Sequence, residues 1–194
     1  THHRFLMANF LETQLADQSY VIFQPGSDWV DFDLDPVKDF YSDQKSWFNQ
    51  RQESNATCVH AHNGCVSYTA SLQDYPEIWS QYLIEVVIET NTMDHSWLTE
   101  KTIRCLKTGK PFILLSTAGH LEKIRSLGFK TFDPIIDESY DLKDDLELRF
   151  DTICTELKRL ASVDQQQLTE QLTKQAEYNA INYKTLMKKY YQQY

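Results

Sequence analysis

At 194 residues, with 41% apolar side chains, four Trp, ten Phe and eleven Tyr, the chain has apolar mass for one good core, or at most two small ones, and is not a disordered polymer. A formal charge of −9 and the lack of any dense Lys/Arg run exclude a binder of duplex DNA or other nucleic acid through a basic face, while leaving room for one local anion site. No apolar run reaches membrane-spanning length and no signal-peptide pattern opens the chain, so a cytoplasmic setting with no membrane span is expected.

Thr1-His2-His3-Arg4 leads, without a methionine, into Phe5, Leu6, Phe10 and Leu15, whose spacing predicts an amphipathic helix ended by the polar residues 16–19. Such a start is expected of a piece of a longer protein; tag histidines are the other reading. Residues 20–23 predict a short strand stopped by Pro25-Gly26. Residues 28–56 are aromatic, acidic and poorly patterned, and 28–78 as a whole reads as a loop-rich insertion with a short strand at 57–60.

From Leu83 the pattern sharpens. Residues 83–88 are β-branched and mostly apolar, as a buried parallel strand is, and end at Glu89-Thr90-Asn91. A helix is predicted from Thr99 to Lys107, with Gly109 suited to the position just past its end. Residues 112–115 are the next buried strand, residues 120–126 a helix closed by Gly128, and Thr131-Phe132 the start of another strand. Leu146, Phe150, Ile153, Leu157 and Leu160 repeat at helical spacing behind a capping Asp144-Asp145. Leu168, Leu172, Ala176, Ala180, Tyr183, Met187 and Tyr190 mark a long final helix. The alternation predicts an α/β chain: a Rossmann-like three-layer sandwich with a mainly parallel sheet and long C-terminal helices, forming a single domain over 1–194. Cys105 and Cys154 fall on apolar helical positions, which predicts free buried thiols.

Ligands of open α/β sheets bind beyond the carboxyl ends of the strands. Glu89 and Asn91 follow one strand, Thr99-Glu100-Lys101 opens the helix after it, and Ser116-Thr117-Ala118-Gly119 follows the next strand. A carboxylate there accepts two sugar hydroxyls, an ammonium neutralises a diphosphate, and two helix N-termini open on the same rim. The plainer reading is that Glu100 only favours a helix N-terminus and Lys101 is a solvated surface lysine.

The blocks Glu89-Thr90, Leu98-Thr99-Glu100-Lys101-Thr102, Gly109-Lys110-Pro111-Phe112-Ile113, Leu127-Gly128-Phe129-Lys130-Thr131-Phe132 and Ile136-Asp137-Glu138-Ser139-Tyr140-Asp141 follow one another in order. This text resembles the C-terminal donor-binding domain of GT-B fold glycosyltransferases, nearest to fucosyltransferase-like enzymes and related viral and bacterial sugar transferases. His3-Arg4-Phe5-Leu6 is similar to the start of that domain, and Asn182 fits a looser family pattern. The resemblance implies a nucleotide-diphospho-sugar donor, GDP- or UDP-linked, and a glycan or other hydroxyl acceptor. It implies that Glu100 holds the nucleotide ribose, that Lys101 and Arg4 hold the phosphates, and that Glu89 is the catalytic carboxylate facing the transferred sugar or its leaving group. Thr99, Asn91 and Gly119 complete the donor-binding set. No divalent metal and no further cofactor is implied. A GT-B enzyme has two such domains, so the N-terminal acceptor domain is missing from this chain, which alone is expected to bind donor and catalyse poorly.

Other constellations compete. Cys58, His60, His62 and Cys65 crowd four soft ligands into one loop, against the two separated pairs of ordinary structural zinc sites; an interaction domain with a small zinc loop is the alternative reading. A non-catalytic nucleotide-sugar-binding module is another. Asp31, Asp33 and Asp35 alternate as divalent-metal ligands do, and equally as a half-exposed strand does. His95 and His120 sit in loops near the proposed site, where they read either as aids to a phosphate or an acceptor or, more plainly, as solvated histidines, and Tyr190, Tyr191 and Tyr194 read as packing or interface residues.

Overall fold

The computed structural model describes residues 2–19, 21–23, 58–61, 64–67, 76–89, 92 and 98–192. The chain divides into two compact units, Thr1–Gln81 and Tyr82–Tyr194.

In the first unit, helix α1 (His2–Gln14) buries Leu6, Met7 and Ala8 together with His3 and Asn9. A 3-10 turn (Ala16–Gln18) follows, and Ser19 Oγ donates to Leu11 O at 3.2 Å. Strands β1 (Val21–Phe23), β2 (Cys58–Ala61) and β3 (Gly64–Ser67) form an antiparallel sheet in that order, with Ile22 opposite Val59 and Val59 opposite Val66. Helix α2 (Pro76–Gln81) ends the unit.

The second unit begins with strand β4 (Glu85–Ile88), crosses through helix α3 (Glu100–Thr108) and returns as strand β5 (Phe112–Leu115). The two strands are parallel, as such a helical crossover requires, with Glu85 beside Phe112 and Ile88 beside Leu115. Arg104 Nη2 meets Glu85 Oε1 at 2.8 Å and so ties α3 to the strand it follows. Thr99 caps α3 by accepting from Lys101 N. Gly109, at φ 69°, ends the helix in the left-handed region that a side chain rarely adopts. Helices α4 (His120–Ser126), α5 (Leu146–Ser162) and α6 (Gln165–Tyr191) follow, with a 3-10 turn (Glu138–Leu142) before α5. Asp145 and Asp164 cap α5 and α6 through Leu148 N at 2.8 Å and Gln167 N at 2.7 Å.

The core of this unit sits on β5, where all four residues are buried. Phe112 meets the edge of Phe132 at 5.2 Å, and Leu121, Ile124, Ile136, Tyr140, Phe150, Ile153 and Leu160 complete the interior. Helix α6 lies against α3: a Cβ added at Gly109 would come within 3.0 Å of Ala176 O. Asn179, buried on α6, accepts from Lys130 N and donates to Lys130 O, each at 2.8 Å. Cys105 and Cys154 are free and buried, and burial pushes the Cys154 thiol up to about 12 and raises that of Cys105 also, which leaves neither as a ready nucleophile.

The unit is mixed α/β, mostly helical, and its parallel sheet has two strands among the described residues. The strand expected at Thr131-Phe132 does not form. Phe132 N donates to the Glu138 carboxylate at 2.5 Å and Lys130 is bracketed by Asn179, so side chains take the backbone groups that a neighbouring strand would have used. Among the described residues no helix is long and apolar enough to cross a membrane.

Candidate functional site

Glu89 extends the β4 ladder by one residue, its N–H donating to Leu115 O at 3.0 Å. Its carboxylate is buried at the carboxyl end of the sheet. Thr99 Oγ1 donates to Oε2 at 2.5 Å, Thr102 Oγ1 donates to Oε1 at 2.6 Å, and Thr99 N reaches Oε1 at 3.4 Å. The first turn of α3 is therefore both a helix cap and a carboxylate clamp. The Thr99 hydroxyl gives its proton to Glu89 while its lone pair takes Lys101 N at 3.3 Å. Lys101 Nζ stands 2.9 Å from Glu100 Oε1 and 4.0 Å from Glu89 Oε2. One ammonium thus lies between a carboxylate facing solvent and a buried one.

The end of β5 supplies the neighbouring wall. Ser116, Thr117 and His120 are all buried. Ser116 Oγ and His120 Nδ1 share a 2.5 Å hydrogen bond, whereas His120 Nε2 and Thr117 Oγ1 have no hydrogen-bond partner among the described residues. Burial holds the His120 imidazole below its ordinary value of 6.5, opposed by the Glu89 carboxylate and assisted by Lys123. Gly119 adopts φ 74° on this turn and donates to Asp141 O at 2.8 Å. The Asp141 carboxylate then accepts from His120 N at 3.1 Å and Leu121 N at 3.0 Å. The α4 terminus, expected to offer open N–H groups to a ligand, has these two filled by the chain's own carboxylate.

Arg149 holds the two walls together. Its buried guanidinium donates through Nη1 to Ser116 O and to Thr92 O (3.3 Å), and through Nη2 to Lys143 O (2.7 Å) and Asp144 O (3.1 Å). It links the segment after β4, the segment after β5 and the turn before α5. Burial lowers its pKa, against Asp141, Asp144 and Asp145. Sequence reasoning passed over this residue. The signal was present: Arg149 falls on the same helical face as Leu146, Phe150 and Ile153, where a guanidinium is out of place unless it is hydrogen-bonded.

Of the expected site residues, Glu89, Thr99, Glu100 and Lys101 come together, and Gly119 lies on the turn after the adjoining strand. Arg4 belongs to α1 of the first unit. Asn91, with Thr90 and His95, lies outside the described residues, as do Asp31, Asp33, Asp35, His62 and Tyr194. Asn182 donates to Gly128 O at 2.9 Å and serves the turn after α4. Cys58 and His60 lie on β2 and Cys65 on β3, with His60 opposite Cys65. Among the described residues there is no group of three or more His, Cys, Asp or Glu able to hold a metal ion. Tyr190 and Tyr191 are exposed near the end of α6, ring against ring at 5.7 Å.

No protein family, no curated protein and no solved structure matches the chain.

Proposed function

We propose that Tyr82–Tyr194 is the donor-binding half of a GT-B glycosyltransferase, taking a GDP- or UDP-linked sugar and passing the sugar to a glycan or other hydroxyl acceptor. The observation that carries this reading is the buried Glu89 carboxylate, oriented by Thr99 and Thr102 with Lys101 at 4.0 Å, at the carboxyl end of a parallel strand. In this reading Glu100 accepts the ribose hydroxyls and Lys101 swings from Glu100 to the diphosphate. Glu89 faces the transferred sugar as its anomeric carbon takes on oxocarbenium character. A fixed ammonium meets the charge that develops on the leaving diphosphate, so no divalent metal is needed for that task. The strand-helix-strand of β4, α3 and β5 is then the nucleus of a Rossmann-like three-layer sandwich, and an acceptor domain supplies the remaining catalytic group.

A second reading, a nucleotide-sugar-binding module without transfer, is favoured by how fully Glu89 is engaged: its two oxygens already accept from two hydroxyls and one backbone N–H. Calorimetric titration with GDP, UDP, CMP and their sugars, with and without chelator, tests the donor site common to both readings. Tighter binding of one nucleoside diphosphate than of its nucleoside, indifferent to chelator, is expected. Absence of binding, or strict dependence on magnesium or manganese, overturns it. Diphosphate release that depends on an added sugar acceptor separates transfer from mere binding.

A further inference from the structure

We propose that Thr117 Oγ1 and His120 Nε2 form a hydroxyl-binding subsite beside Glu89, taking adjacent hydroxyls of a ligand sugar. The inference rests on the donor-site reading and names a chemistry that this reading leaves open. Both side chains are more than nine-tenths buried, Thr117 at 7% exposure and His120 at 0%, and among the described residues both atoms lack a hydrogen-bond partner. Folded proteins seldom leave buried polar atoms in this state, and two such atoms three residues apart on one turn call for an occupant. Their neighbours on the turn are already engaged. Ser116 Oγ is held by His120 Nδ1, the Asp141 carboxylate by two backbone N–H groups, and the Arg149 guanidinium by carbonyl oxygens. Gly119, between the two residues, is exposed, and a Cβ there would meet nothing within 4 Å among the described residues.

The chemistry of the pair selects the ligand. If the Ser116 hydroxyl donates to Nδ1, Nε2 carries the proton and donates; if Nδ1–H donates to Ser116, Nε2 accepts. A hydroxyl, which both gives and accepts, satisfies either tautomer and satisfies Thr117 as well. Both protein groups are uncharged, the imidazole because it is buried, so the phosphate charge belongs at Lys101 and a polyol belongs here. The hydroxyls come from the nucleotide ribose or from the transferred sugar.

Three variants test the subsite. His120→Asn keeps a polar atom at the Nδ1 position for Ser116 and lacks Nε2. His120→Gln reaches the Nε2 position. Thr117→Val is isosteric and removes an unpartnered hydroxyl, so its urea midpoint is expected to hold or rise. Each is titrated calorimetrically with the nucleoside diphosphate that binds wild type, with its 2′,3′-dideoxy analogue, and with the matching nucleotide-sugar. Affinity about three- to tenfold weaker in Thr117→Val and His120→Asn, with His120→Gln nearer wild type, is the expected result. Loss seen with the diphosphate and abolished in the dideoxy analogue assigns the ribose; loss confined to the nucleotide-sugar assigns the transferred sugar. Either supports the subsite. Folded Thr117→Val and His120→Asn proteins that titrate as wild type overturn it and leave a buried-water site only. A wild type that binds no diphosphate and no nucleotide-sugar overturns the donor-site reading, and the subsite with it.

Discussion

Thr102 Oγ1 donates to Oε1 of Glu89 across 2.6 Å, with both side chains buried, although the two residues are thirteen apart in the chain. The bond joins the residue that follows a parallel strand to the first turn of the helix that carries the chain across to the next one. It turns the crossover from a connection into a clamp. A carboxylate in this place is costly to bury unless its lone pairs are met, and Thr99 and Thr102, one helical turn apart, meet them from the same face.

Thr102→Val keeps the shape of the side chain and removes the donor. The expected loss of stability is about 1.5–3 kcal/mol, the range for a hydrogen bond to a charged group, while Thr102→Ser loses less because a hydroxyl remains. Urea unfolding of the two variants checks this. A Val variant as stable as wild type would mean that Glu89 finds another donor without cost.

Arg149 carries a second prediction. Its buried guanidinium satisfies the carbonyls of Thr92, Ser116, Lys143 and Asp144, and no carboxylate lies within ion-pair distance of it among the described residues. Arg149→Met leaves the Thr92 and Ser116 carbonyls buried without this donor, and a loss of about 3 kcal/mol or more is expected. Arg149→Lys is expected to recover little, because an ammonium cannot fork toward carbonyls on separate segments. Thermal unfolding of both variants gives the answer, and a fully stable Lys variant would contradict the clamp.

The His120 imidazole sets a pH dependence. Its folded pKa lies below the ordinary 6.5, burial being the main cause. The unfolded chain therefore binds its proton first as pH falls, so stability is fully present above about 6.5 and is lost as pH drops toward the folded value. Asp141 and Glu138, whose pKa values are raised by burial, act with the opposite sign, gaining stability as pH falls through their raised values. Urea midpoints between pH 7.5 and 5.5 should fall in wild type and fall less in His120→Asn. Equal slopes would show that His120 is not the group responsible.

Legibility followed the range of the signal. The bounds of α3 were readable because Thr99 and Gly109 act on their own neighbours: a hydroxyl that caps and a residue that tolerates φ 69°. The apolar run of β5 and the span of α4 were readable for the same reason. Thr131-Phe132 misled because a β-branched and an aromatic residue state a preference only, while Glu138 and Asn179 supplied the competing donors and acceptors from elsewhere in the chain. Glu89, Glu100 and Lys101 were legible as a group through the strand-to-helix order. That Thr99 and Thr102 turn back onto Glu89 depends on the crossover geometry. His120 read as a solvated loop histidine; its burial follows from the Asp141 cap on α4, twenty-one residues away, which no local pattern announces.

Lys101 provides the most direct test of the donor site. Its ammonium already contacts Glu100 at 2.9 Å and stands 4.0 Å from Glu89, so a diphosphate must draw it away from Glu100 rather than meet an idle charge. The half-exposed contact with Glu100 is cheap to give up, since ion pairs open to solvent are worth about 1 kcal/mol or less. A charge-assisted bond to a phosphate oxygen is stronger than a neutral one. Lys101→Ala should therefore weaken nucleoside-diphosphate binding about tenfold or more while leaving the nucleoside nearly unchanged. Glu100→Ala should do the reverse, costing the nucleoside through the ribose and, by releasing Lys101 from its 2.9 Å contact, costing the diphosphate less. Calorimetry on the two variants with nucleoside, monophosphate and diphosphate separates these patterns. Equal losses for nucleoside and diphosphate in Lys101→Ala would remove the lysine from the phosphate role and leave its pairing with Glu100 as a structural contact at the start of α3.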